Sequence, residues 1–110
     1  MDASIENVNG TTVVRFDGDL DTNTAPDAQD RLNALIDEGN AHLLVNLRKV
    51  GFVSSAGLRI LLATAKKLNG ADGSLKITDL NETVHDVFEI SGFNSILNVY
   101  KTEEEALQDA

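Results

Sequence analysis

Cysteine and tryptophan are absent from this chain, proline and methionine occur once each, and aromatic residues make up only 5% of it. Without cysteine there is no disulfide, no thiolate metal site and no cysteine nucleophile. Histidine is nearly as scarce, with His42 and His85 the only two. Far apart and without cysteine to join them, they make a poor transition-metal site, so no metal or cofactor is expected. Basic residues number half the acidic ones, 9 against 18, for a formal charge of −9. That balance repels phosphate backbones and anionic lipid, so neither nucleic acid nor membrane is an expected partner. No apolar run approaches the roughly 20 residues that span a bilayer. Met1 to Gly10 also lacks the basic-then-apolar order of a targeting segment, and a cytoplasmic protein is expected.

What is present suffices for a core. The 110 residues are 42% hydrophobic and 25% charged, the balance of an ordinary globular chain. One domain over residues 1–110 is expected, with no internal repeat or linker.

The order of elements follows from local chemistry. Asn9-Gly10 between two β-like runs is a hairpin signal, because both turn residues need positive φ, so Ala3 to Val8 and Thr11 to Asp17 pair antiparallel. Thr24, Pro26 and Asp27 mark a helix start with a weak capping box. That helix runs to about Glu38 on an Ala28, Leu32, Leu35 and Ile36 stripe, and Gly39-Asn40 ends it. His42 to Leu47 reads as a strand buried on both faces. Leu58, Leu61, Leu62, Ala65 and Leu68 face one way and Arg59, Lys66 and Lys67 the other, a helix of about four turns ending at Asn69-Gly70. Gly73 to Thr78 alternates as a strand. Val84, Val87 and Phe88 mark a short helix closed by Ser91-Gly92, Ile96 to Val99 a last strand, and Thr102 with Glu105 a capping box before a two-turn terminal helix. The fold class is therefore α/β: a mixed sheet of about five strands, an antiparallel hairpin followed by parallel strands, with about four helices.

Candidate sites concentrate where "KVGFVSSAGLRILL" passes from strand to helix. Ser54 and Ser55 stand at the helix N-terminus, where serine is a favoured cap. The same backbone N–H groups and helix dipole also stabilise an anion, so a phosphoserine is tolerated there. Either serine fits both descriptions. A hydrolase is excluded by pattern, since a nucleophile elbow needs Gly-x-Ser-x-Gly and the segment reads Val53-Ser54-Ser55-Ala56-Gly57. "GADGS", Gly70 to Ser74, lacks the spacing and the Lys-Ser/Thr of a phosphate loop and is a turn. Asp17, Asp19 and Asp21 cluster at a strand end, where acids make turns or form a polar rim.

Three stretches, "GDLDTNTA", "LLVNLRKVGFVSSAGLRILL" and "VFEISGFNSILNVYKTEEEAL", together resemble the STAS domain, and within it the single-domain anti-sigma factor antagonists of bacterial partner-switching systems. Phe52 matches the family aromatic, Ser55 falls at the serine a partner kinase phosphorylates, and Gly57-Leu58 match the Gly-Leu that follows. Ser54 stands where many members carry aspartate and is the runner-up acceptor. The resemblance implies a binding switch without catalysis of its own. The unphosphorylated form would bind an anti-sigma factor that is also a serine kinase of the GHKL type, phosphorylation would release it, and a PP2C-type phosphatase would reset it. Asp19, Asp21, Ser54, Ala56, Gly57 and Arg59 are the implied partner-binding residues. The alternative within the same fold is a STAS scaffold subunit without a phosphorylation cycle, for example in a phospholipid transport complex.

Overall fold

The computed structural model describes residues 1–109. The hairpin forms as its turn requires: Asn9 and Gly10 take φ of 52° and 88°, and β1 (Asp2–Val8) pairs antiparallel with β2 (Thr11–Asp17). Helix α1 (Ala25–Asp37), strand β3 (His42–Lys49), helix α2 (Ser55–Asn69) and strand β4 (Ser74–Thr78) follow. Helices α3 (Glu82–Ser91) and α4 (Phe93–Ile96), strand β5 (Asn98–Tyr100) and helix α5 (Glu103–Gln108) complete the chain. The sheet order is β1-β2-β3-β4-β5, and every pair after the hairpin is parallel.

Alternation along the strands divides the side chains between two layers. Val14 and Phe16 of β2, Leu43, Val45 and Leu47 of β3, and Leu75 and Ile77 of β4 enter one core with α1, α2 and α3. Val13 and Leu44 point to the opposite face, where Ala106 of α5 covers them. Residues Leu43 to Leu47 are thus buried on both faces, as a central strand needs.

The structure departs from the sequence-based expectation at three places. Thr24 does not cap α1 with its side chain: its φ and ψ of −98° and −22° are helical, not extended. Asp21 takes that part, its Oδ1 accepting from Asn23 N (2.9 Å) and Thr24 N (3.1 Å). Asp27, the expected partner in the box, instead accepts from the Met1 amine at 2.9 Å and Arg31 Nε at 3.2 Å. A fifth helix, α4, follows Gly92, whose left-handed φ of 78° breaks the chain direction after α3. One turn is too short to register as periodicity, and its presence moves the last strand on to Asn98–Tyr100.

Helix α5 is fastened by charge as well as by Ala106. Arg15 Nε and Nη2 reach the two oxygens of Glu103 at 2.9 and 2.8 Å, a bidentate pair. Arg15 Nη1 bonds Glu6 at 2.9 Å and Asn46 Nδ2 bonds Glu103 at 2.9 Å. The Arg15 guanidinium first, and Asn46 after it, hold the Glu103 carboxyl below its ordinary range against the opposing effect of burial. Lys76 Nζ donates to the Ala106 carbonyl at 2.8 Å and also to that of Asp109.

Candidate switch site at the strand ends

Parallel strands β2, β3 and β4 all release their chains at the same edge, so the loops that follow them meet there. They are joined by hydrogen bonds. Gly18 N donates to Lys49 O at 3.1 Å, Leu20 N to Phe52 O at 2.9 Å and Ser54 N to Leu20 O at 2.9 Å. Leu20 and Val53 thereby form a parallel bridge outside the sheet. Both side chains are buried, which anchors the loops from below and leaves their neighbours facing outward.

Ser54 has an extended backbone (φ −83°, ψ 176°), and its Oγ accepts from Gly57 N at 3.3 Å, the geometry of a helix cap. Ser55 is the first residue of α2, is exposed, and has no hydrogen-bond partner for its hydroxyl among the described residues. The first turn of α2 carries no acidic side chain, so nothing on the helix itself opposes an anion at its positive end.

Gly57 is buried, and a Cβ there would stand 2.7 Å from the Leu20 carbonyl oxygen and 2.9 Å from Val53 Cγ1. Its place is under the loops: it lets α2 approach the Leu20–Val53 bridge and is not part of the accessible face. Ala56 is half-buried and Arg59 exposed, and together with Thr22, Pro26, Gln29 and Ala63 they line a groove of about 360 Å³ between α1 and α2.

The two aspartates also differ. Asp21 is half-buried and turned into its own loop. Thr24 Oγ1 supports the same turn, accepting from Asp21 N at 2.9 Å and donating to the Asp19 carbonyl at 2.7 Å. Asp19 is exposed, and its Oδ1 would meet a Gly51 side chain at 3.1 Å, so it lies over the loop that leads to Ser55. The structure thus brings Asp19, Ser55, Ala56 and Arg59 to one edge and gives Asp21, Ser54 and Gly57 parts in holding that edge together.

Two residues of this edge carried little weight in the sequence. Phe52 is 45% exposed at the crest of the loop, unusual for an aromatic in a chain with so few. Asn81 caps α3, its Oδ1 accepting from Val84 N at 2.7 Å, and its Nδ2 reaches back to the loop before Phe52. The cap was legible as an asparagine immediately before an apolar helical stripe; the reach across to another loop was not.

A second, larger groove of about 850 Å³ opens beside the Arg15–Glu103 pair and is lined in part by Asp17, Arg48, Lys49 and Asp79 at the ends of β2, β3 and β4. On exposed α3, donor atoms of His85, Asp86 and Glu89 lie within 4.8 Å of one another. None of these three belongs to the Ser55 edge as built above.

With this geometry in place, comparison with known proteins identifies the family. Residues 2–106 match the STAS domain. The chain belongs to the STAS domain family. It is 33% identical over 106 residues to BtrV of Bordetella bronchiseptica, a protein assigned as an anti-sigma factor antagonist, covering 96% of this chain and 91% of that one. An anti-sigma factor antagonist from Mycobacterium paratuberculosis superposes with a TM-score of 0.89 at 27% identity, over 97% of this STAS chain and 91% of the other. The phosphorylated form of SpoIIAA from Bacillus, a cell fate determinant, superposes with a TM-score of 0.72 at 25% identity over 97% of each chain. Among the described residues no helix is long and apolar enough to cross a membrane.

Proposed function

We propose that the protein is an anti-sigma factor antagonist that acts as a phosphorylation-controlled binding switch in the bacterial cytoplasm, with Ser55 as the acceptor. It is a substrate and a ligand, not a catalyst. Unphosphorylated, it binds and sequesters an anti-sigma factor that is also a serine kinase of the GHKL type. Phosphorylation of Ser55 releases that partner, and a PP2C-type phosphatase restores the binding form.

The observation that carries this reading is the division between the two serines. Ser54 Oγ is engaged by Gly57 N, whereas Ser55 is exposed at the start of a 15-residue helix and its hydroxyl has no hydrogen-bond partner among the described residues. A phosphate on Ser55 sits at the positive end of the helix and does not disturb the cap, so the fold tolerates both states. Its effect falls on whatever docks there. A hundredfold loss of affinity needs about 2.7 kcal/mol, and like charges set against each other across an interface cost several. One phosphate suffices.

Intact-mass measurement after incubation with ATP and the cognate serine kinase tests this directly. The wild-type chain gains one phosphate and Ser55→Ala gains none. Labelling that persists in Ser55→Ala and vanishes in Ser54→Ala moves the acceptor to Ser54. Labelling of neither serine favours a STAS scaffold without a phosphorylation cycle.

A further inference from the structure

We infer that Asn81 is a positioning residue for the switch: its side chain holds the loop that presents Phe52 and Ser55, and links that loop to α3. The inference rests on the reading of Ser55 as the acceptor.

The loop between β3 and α2 is held from two sides. On the side of β2 the restraints are all backbone: Gly18 N to Lys49 O, Leu20 N to Phe52 O and Ser54 N to Leu20 O. On the side of β4 they come from one half-buried side chain, Asn81, whose Nδ2 donates to Val50 O at 3.2 Å and Gly51 O at 3.3 Å. The same side chain caps α3 through its Oδ1. A flipped amide would set its NH₂ against Val84 N–H and its oxygen against two carbonyls, so the network leaves one orientation.

Capping alone does not call for asparagine, since aspartate and serine cap about as well. What asparagine adds is a pair of N–H donors on the same group as the acceptor. Aspartate has the acceptor and no donor at neutral pH. Serine has the acceptor and a single, shorter donor. The two carbonyls that Asn81 grips immediately precede Phe52, and the chain then runs through the Leu20–Val53 bridge to the Ser54 cap and Ser55. Without that grip, the loop loses its side-chain hydrogen bonds from the β4 side and keeps its backbone bonds toward β2, the Val50 N to Leu47 O turn and the burial of Val50 and Val53. Asn81 does not touch Ser55; it fixes the frame in which a kinase finds it.

Amide hydrogen exchange on the full chain, with no partner present, tests the grip. Asn81→Asp retains the cap acceptor and removes both donors, and Asn81→Ser does nearly the same without adding charge. In both variants the Leu20 and Ser54 amides, which bond across the loop, exchange roughly tenfold faster, while Val84 and His85 amides stay within about twofold of wild type. Asn81→Ala, which also loses the cap, accelerates both groups. Wild-type exchange of Leu20 and Ser54 in both Asn81→Asp and Asn81→Ser overturns the inference.

The consequence for the switch is read with ATP and the soluble fraction of the source cells as kinase. The apparent KM for Asn81→Ser as protein substrate rises about fivefold with the maximal rate at a fixed amount of extract unchanged, the worth of one ordinary hydrogen bond spent on docking. An unchanged KM overturns the positioning role even if the loop is looser. If the wild-type chain takes no phosphate, the Ser55 reading fails, and the exchange measurement still decides whether Asn81 holds the loop.

Discussion

Ser54 and Ser55 are neighbours in the chain with hydroxyls in different situations: Ser54 Oγ accepts from Gly57 N at 3.3 Å, and Ser55 is exposed with no hydrogen-bond partner for its hydroxyl among the described residues. Their alanine variants therefore separate stability from modification. Ser54→Ala removes a helix cap and lowers stability by about 1 kcal/mol, a fall in Tm of roughly 4–6 °C for a chain of this size. Ser55→Ala leaves Tm within about 1 °C of wild type, because the side chain it truncates has nothing to lose. Thermal unfolding followed by circular dichroism distinguishes the two. A larger loss from Ser55→Ala than from Ser54→Ala would contradict the division.

Gly57→Ala is expected to be the most damaging small substitution at the site. The new methyl would stand 2.7 Å from a backbone carbonyl and 2.9 Å from both Leu20 Cγ and Val53 Cγ1, all in fully packed surroundings. Overpacking of this kind costs about 1–3 kcal/mol, and it is relieved only by moving α2 away from the Leu20–Val53 bridge. Urea unfolding reads the loss of stability. Faster exchange of the Ser54 amide shows that the bridge opened, and a variant with wild-type midpoint and wild-type exchange would refute the packing argument.

Acid should weaken the attachment of α5. The Glu103 carboxyl is held below its ordinary value of 4.5 in the folded protein, chiefly by the bonds from Arg15. A depressed folded-state value means that the pair contributes stability fully above about pH 4.5 and loses it as pH falls through the lower folded value. Glu103→Gln, measured by urea unfolding at pH 7, costs about 1 kcal/mol, less than charged hydrogen bonds usually contribute because Arg15 remains partly solvated. Repeated toward pH 3, the wild-type and Glu103→Gln midpoints converge. A gap that stays constant with pH would assign the loss to packing.

The fold was largely legible because each element carries a local signal: Asn9-Gly10 for the hairpin, the run from Leu43 to Leu47 for a central strand, and the stripe through Leu58, Leu61 and Leu68 for α2. Helix α4 was not, since one turn between Gly92 and Leu97 shows no period. At the site, residue chemistry alone set both serines at a helix start and the aspartates at a strand end, and only the family resemblance put Ser55 ahead of Ser54. Asp19 and Asp21 are two positions apart in one loop, and spacing does not show that the turn adopted there gives Asp21 the N–H groups of Asn23 and Thr24 while the Asp19 side chain has no hydrogen-bond partner among the described residues. Gly57, expected among the partner-binding residues, is buried, and the contact that demands a glycine there comes from Leu20, 37 positions earlier. Asn81 and Val50 meet across a similar interval, 31 positions. Contacts of that range leave no trace in local spacing.

Phe52 is the side chain on which the docking face depends if the switch operates as proposed. At 45% exposure it contributes little to the core, so its place at the loop crest costs apolar hydration that the fold does not recover. A partner that covers it recovers that cost, and buried aromatic anchors commonly contribute about 2 kcal/mol or more to an interface. Phe52→Ala is therefore expected to leave Tm within about 2 °C of wild type and to weaken binding of the kinase by roughly thirtyfold, measured by calorimetric titration. Ile5, 50% exposed in mid-strand on the sheet's edge strand β1, provides the control: Ile5→Ala removes comparable apolar surface away from the joined loops and leaves affinity unchanged. Equal effects of the two substitutions would show that exposed apolar area, not the loop crest, governs association.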